Sequence, residues 1–150
     1  MPEWAPGVLE GLLAKIGTTG EANLRAGLLK IAAAIEAKAK ADLALSSHPY
    51  GTPSPASKGG PPSLVSGTGR RSIGHQATVQ GIEQVVKVGT LAGVYPPRRG
   101  KTSTPSSKYL LYQETLSRFD HPFLVPAYRH VVATEGVGIW LSAFRTWPRI

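Results

Sequence analysis

The chain changes character abruptly at Ser46. Glu21 to Leu45 reads EANLRAGLLKIAAAIEAKAKADLAL, with no proline and one glycine. Ser46 to Gly69, by contrast, holds five prolines and five glycines. Alanine and leucine are strong helix formers. Leu24, Leu28, Ile31 and Ile35 recur at 4-3-4 spacing on one face, which predicts a long amphipathic helix. Thr18 or Thr19 suits its N-cap, and Glu21 suits the positive end of its dipole. Glu36 and Lys40 form a supporting pair four residues apart. A shorter helix, Val8 to Ile16, precedes it, with a break expected at Gly17. The Pro/Gly-rich stretch is a poor helix and a poor strand. It also exceeds the usual ceiling of about 15 residues for a structureless loop. It reads as an arm laid on a neighbour, because proline lowers the entropy lost on docking.

From Arg71 the hydrophobic period shifts toward two. RSIGHQATV and EQVVKVGT read as two strands joined by a turn at Gln80–Gly81. Residues 91–107 form a second long loop with three prolines and three basic residues. KYLLYQET, residues 108–115, reads as a third strand. HPFLVPAYRHVVATEG reads as a short helix: Pro126 sits in a first turn, Phe123, Ala127 and Val131 share a face, and Gly136 suits its stop. VGIWLSAFRTWPRI reads as a last strand or tail. The expected fold is α+β: a long N-terminal amphipathic helix and a short C-terminal helix packed on a small, mostly antiparallel sheet, with two long Pro-rich loops. One domain spans residues 1–150. Within it, 1–20 is an N-terminal extension, 46–69 and 91–107 are extended loops, and 136–150 is a C-terminal tail.

A chain of 150 residues with 41% hydrophobic side chains suits one modest core. The absence of cysteine excludes disulfides, thiol catalysis and thiolate metal sites. No apolar run approaches the roughly 20 residues of a membrane span, and the N-terminus does not read as a signal peptide, so no membrane partner is expected. The net charge of +8 is uneven. Residues 1–47 carry five basic and five acidic side chains, residues 48–118 nine and two, and residues 119–150 three and two. A basic middle points to a polyanion or an acidic partner.

Catalytic patterns are missing. SGTGRRSI, Ser66 to Ile73, lacks the lysine of a phosphate-binding loop, and a Pro-rich stretch rather than a strand precedes it. It reads as the start of a β-strand that displays Arg70 and Arg71 at its mouth. The histidines His48, His75, His121 and His130 form no HExxH pair, and no G-x-S-x-G elbow exists. His121 before Pro122 reads as a cap or surface group. No enzyme activity, cofactor or metal is expected. Arg70, Arg71, Arg98, Arg99 and Lys101 suit phosphates or an acidic protein, yet no basic recognition helix or aromatic stacking strand accompanies them. The nucleic-acid reading is therefore a basic accessory protein that binds without sequence preference.

Four ordered motifs resemble one family. They are Ser66-Gly67-Thr68-Gly69-Arg70-Arg71-Ser72-Ile73, Val88-Gly89-Thr90, Tyr109-Leu110-Leu111-Tyr112-Gln113-Glu114 and His121-Pro122-Phe123-Leu124-Val125-Pro126-Ala127. Together they cover about residues 20–135. In this order they resemble bacteriophage neck and tail-component proteins, the relatives of gene product ten of phage Hong Kong ninety-seven. The chain departs from that pattern at Gly69, where leucine is usual, and after Glu114, where Thr115-Leu116 replaces an aromatic-Gly-Thr. The resemblance implies a structural virion protein at the head–tail junction, assembled in the bacterial host cytoplasm. It implies a ring of identical copies, expected as a hexamer, that completes the tail and joins it to the head connector. The implied partners are the tail tube protein, a head-completion or stopper protein, and DNA passing through the lumen. An adaptor or stopper ring nearer the portal is the alternative within the class. The basic loop residues are then candidates for the DNA lumen or a partner interface. Leu24, Leu28, Ile31, Ile35, Ile73, Val88, Gly89, Tyr109, Tyr112, Glu114, Pro122, Phe123 and Pro126 carry the core and the family motif.

Overall fold

A computed structural model describes residues 8–45, 47, 58–62, 67–80, 83–91, 110–111, 114–115 and 121–144. The fold is α+β, with a long N-terminal helix, a short C-terminal helix and a small two-stranded antiparallel sheet. Helix α1 spans Val8–Asp42 without interruption. The break expected at Gly17 does not occur. Thr18, expected as a cap, turns its hydroxyl to the carbonyls of Ala14 and Lys15, both at 3.1 Å, and stays inside the helix. A glycine in a helix costs only about 1 kcal/mol relative to alanine. Thirty-five residues of cooperative helix absorb that.

The buried face of α1 runs through Gly27, Ala32, Ile35, Ala39 and Leu43. Leu24, Leu28 and Ile31 are only half-buried, so the contact face is rotated from the expected one and rich in small residues. Small side chains let the neighbouring elements approach closely. The core joins Ala39 of α1 and Leu43, just past its end, to Ile73, Leu110, Phe123 and Ala127. Each large side chain among them contributes about 1.5–3 kcal/mol of burial.

SGTGRRSI does not open directly into a strand. Thr68–Ser72 is a helical turn, α2, and strand β1 begins at Ile73. Gly67 precedes the turn at φ 71°, a left-handed conformation that favours glycine. The Arg71 N–H donates to the Gly67 carbonyl at 3.0 Å, and the buried Ser72 hydroxyl to the Gly69 carbonyl at 2.7 Å. Gly69 lies against Leu110: a Cβ there would stand 3.2 Å from a Leu110 methyl. Leu110 thus fills that part of the core from another segment.

Strand β1, Ile73–Gln80, pairs antiparallel with β2, Glu83–Thr90, from Ile73 opposite Thr90 to Gln80 opposite Glu83. Among the described residues of 108–115 the expected third strand does not appear. Leu110, Leu111, Glu114 and Thr115 are helical. The Thr115 hydroxyl donates to the Leu111 carbonyl at 2.7 Å, a bond that spans one helical turn. Tyr109 and Tyr112 lie outside the described residues.

Helix α3 spans Leu124–Val131, a π turn follows over Val132–Gly136, and helix α4 spans Val137–Phe144. The expected stop at Gly136 is therefore a widened turn inside a longer helix, and residues 137–144 are helical rather than strand or tail. The Thr134 hydroxyl donates to the His130 carbonyl at 2.8 Å. That carbonyl is the one the residue-134 N–H takes in a regular helix, and such side-chain competition accompanies helix distortion. Phe123 and Ala127 of this helix meet the C-terminal part of α1, whereas Trp140 and Ala143 meet Gly27. The two helices therefore run antiparallel.

Candidate functional site

Three polar contacts fix the body on which any functional surface is displayed. The first is Glu114. Its carboxylate accepts from the backbone N–H groups of Phe123 at 2.8 Å, Leu124 at 3.0 Å and Val125 at 2.9 Å. These are orphan donors of the α3 N-terminus, and the next residue, Pro126, has none. A carboxylate also complements the positive end of the helix dipole. The second contact is His121, whose Nδ1 donates to the Gly60 carbonyl at 3.1 Å. Pro62 is buried nearby in sequence, so residues 58–62 of the expected arm are seated on this same body. Pro122 is half-buried beside His121.

The third contact ties the hairpin to α1. Glu36 accepts from His75 Nδ1 at 2.6 Å and also pairs with Lys40. Burial alone would raise the Glu36 carboxyl. Hydrogen bonds from Lys40 and His75 outweigh it and hold the pKa below its ordinary value.

The C-terminal helix presents a row of apolar side chains outward. Val125, Tyr128, Val132, Val137 and Leu141 are 44, 53, 43, 72 and 60% exposed. Their spacing is three, four, five and four. The five-residue step coincides with the π turn, which accommodates one residue more than an α turn. The stripe thus stays on one face along the whole C-terminal helix. On the opposite face, Phe123, Ala127, Val131 and Ala143 are buried toward α1. Arg129 and His130 are exposed beside the stripe.

The hairpin adds a second surface. Ile73, His75, Ala77 and Val79 share one face by strand alternation. Ile73 is 2% exposed and Val79 is 55% exposed, so the covered base gives way to an open tip. Among the described residues no further strand pairs with β1 or β2. Such an edge, where no further strand is described beside it, is a template for pairing with another segment or chain.

Arg70 and Arg71 lie in the last turn of α2, and both are exposed. Arg71 has a non-covalent partner within the chain. Arg98, Arg99 and Lys101 lie outside the described residues. Val88 and Gly89 sit in β2, opposite His75 and Gly74. Among the described residues no group of three or more His, Asp and Glu could hold a metal ion, and no helix is long and apolar enough to cross a membrane. Sequence reasoning missed the outer stripe because its five-residue step breaks helical periodicity. It missed Glu114 as a cap because the carboxylate stands about ten residues ahead of the helix.

No family model matches the chain, and neither the curated proteins nor the solved structures yield a significant match.

Proposed function

We propose that this chain is a structural subunit of a closed ring at the head–tail junction of a tailed bacteriophage, with six copies per ring. The observation that carries the self-assembly is the contiguous apolar stripe Val125, Tyr128, Val132, Val137 and Leu141 on the outer face of the C-terminal helix. Contiguous exposed apolar surface marks an interaction site. The hairpin supports the same reading: among the described residues neither edge has a further strand beside it, and such edges invite pairing with another chain. The virion assignment rests on the four ordered motifs and their resemblance to neck and tail-component proteins. In this reading the ring completes the tail, contacts the tail tube protein on one side and a head-completion or stopper protein on the other, and lets DNA pass without sequence preference.

The test is genetic and visual. Host cells infected with a phage lacking this product should accumulate separate filled heads and unjoined tails in electron micrographs. Supplying the protein from a plasmid should restore joined particles. Normal particle yield without the protein would refute the assignment.

A further inference from the structure

The outer stripe of the C-terminal helix has a centre. Val132 is its middle member, with Tyr128 four residues before it and Val137 five residues after it. The π turn Val132–Gly136 holds one residue more than an α turn, so both steps amount to about one turn. Val125 lies seven residues before Val132, and Leu141 nine after it. Less the extra residue, each stands about two turns away. The spacing therefore reads the same in both directions. Lay a second copy antiparallel, with the two Val132 side chains at a two-fold axis. Tyr128 then comes to the level of Val137, and Val125 to the level of Leu141.

Size follows the same symmetry. At the axis stand Val132 and its exposed neighbour Ala133, small enough for two helices to approach closely. One turn out stands Tyr128, the largest side chain of the stripe. Its level on the second copy is that of Val137 and Gly138. Gly138 is exposed inside α4, where glycine is a poor helix former. Among the described residues a Cβ there would meet nothing within 4 Å, and its φ is not positive. The packing described within one subunit therefore does not require glycine at this position. A missing side chain at that level leaves room for the Tyr128 ring of a second copy.

Charge favours the same direction. Arg129 and Glu135 are both exposed, three residues before and three after Val132. Antiparallel pairing brings Arg129 of each copy to the level of Glu135 of the other. Parallel pairing in register would set Arg129 against Arg129 and His130 against His130, and like charges at an interface are costly.

We infer that the Val125–Leu141 stripe docks antiparallel on the same stripe of a second copy of this chain, about a two-fold axis at Val132, with the Tyr128 ring of each copy seated over Gly138 of the other. The contact is isologous and closes at two copies. A ring of six is then three such dimers, joined through a second surface. The inference rests on the self-assembly reading of the stripe and not on the virion assignment.

The chain has no cysteine, so single cysteines report the contact directly. Val125→Cys and Leu141→Cys are purified separately, then treated with a short bis-maleimide linker alone and as an equal mixture. Antiparallel pairing brings position 125 of one copy to position 141 of the other. It holds the two copies of either position about four turns apart. The mixture should therefore give the linked pair at twice the 15.9 kDa chain, and each variant alone should give little. Self-linking of either variant alone, or no linked product in the mixture, overturns the inference. Gly138→Leu tests the seat. Leucine suits a helix better than glycine, so this variant should keep its helical circular dichroism. Its dimerisation, measured by sedimentation velocity, should weaken by roughly tenfold or more. Unchanged or tighter dimerisation would overturn the seating of Tyr128. Rings in micrographs without the mixed link would leave the ring reading standing and remove this contact. The mixed link without rings would keep the contact and remove the six-copy closure.

Discussion

Glu114 shows how one side chain can define the end of a helix from a distance. Three backbone donors converge on its carboxylate. Removing it leaves them without that acceptor, at about 1–3 kcal/mol. Glu114→Ala should therefore lower the melting temperature, with Glu114→Gln falling between it and wild type because one oxygen acceptor remains. Equal melting of all three proteins would contradict the capping role. Phe123, 4% exposed at the start of the same helix, should cost about 3–5 kcal/mol when truncated to alanine. Urea unfolding measures this directly, and a loss below about 1 kcal/mol would place the ring outside the core. Glu36 gives a pH signature. Its folded pKa lies below the ordinary 4.5, so its contribution is fully present above that value and is lost as pH falls through the folded pKa. The stability gap between wild type and Glu36→Gln should be constant near neutrality and shrink on acidification below pH 4.5. A gap that persists unchanged in strong acid would contradict the pairing. Of these contacts only the Glu36–Lys40 pair was legible in sequence, because its partners are four apart on one helix. His75 lies 39 residues from Glu36, and no local pattern links them.

At the scale of elements, the helix and the hairpin were legible because each follows one period over many residues. The miss over 108–115 has a physical cause. Tyrosine and leucine in KYLLYQET suit a strand, but Leu110 and Glu114 must point the same way, into the core and onto the α3 N-terminus. Both meet Phe123, and a four-residue step keeps them about 6 Å apart in a helix, whereas a strand would share the face but set them about 13 Å apart. The expected break at Gly17 failed because propensity is a weak force against cooperative propagation. Gly136 misled in the same way, since the chain widens there instead of stopping. The π turn makes its own prediction. It holds one residue beyond an α turn, so deleting the exposed Ala133 should let a regular helix form with both faces still aligned. Deleting Gly138 instead should rotate the rest of α4 by about 100°. Ala143 would then leave Gly27. Thermal unfolding should show near wild-type stability for the first deletion and a marked loss for the second. The reverse order would mean that the π turn does not set the register.

For the whole molecule, the composition read from sequence is organised in a specific way. Among the described residues the basic side chains of the middle segment are Lys58, Arg70 and Arg71 of α2, and Lys87 of β2. The apolar excess sits on the far face of the C-terminal helix, away from α1. Besides the five-residue step that hides the stripe's period, its exposure was not legible in sequence because that depends on which face α1 covers. Only the packing of Gly27 against Trp140 and of Ala39 and Leu43 near Phe123 decides that. In the proposed reading the inner seam serves folding and the outer seam serves assembly. The most direct measurement of that claim is the mass and shape of the purified, full-length protein, by sedimentation velocity with electron micrographs of the same sample. The account predicts a closed ring near six times the 15.9 kDa subunit, dissociating when Val137 and Leu141 are both changed to aspartate. A single 15.9 kDa species at every concentration, with no particles in the micrographs, would contradict it.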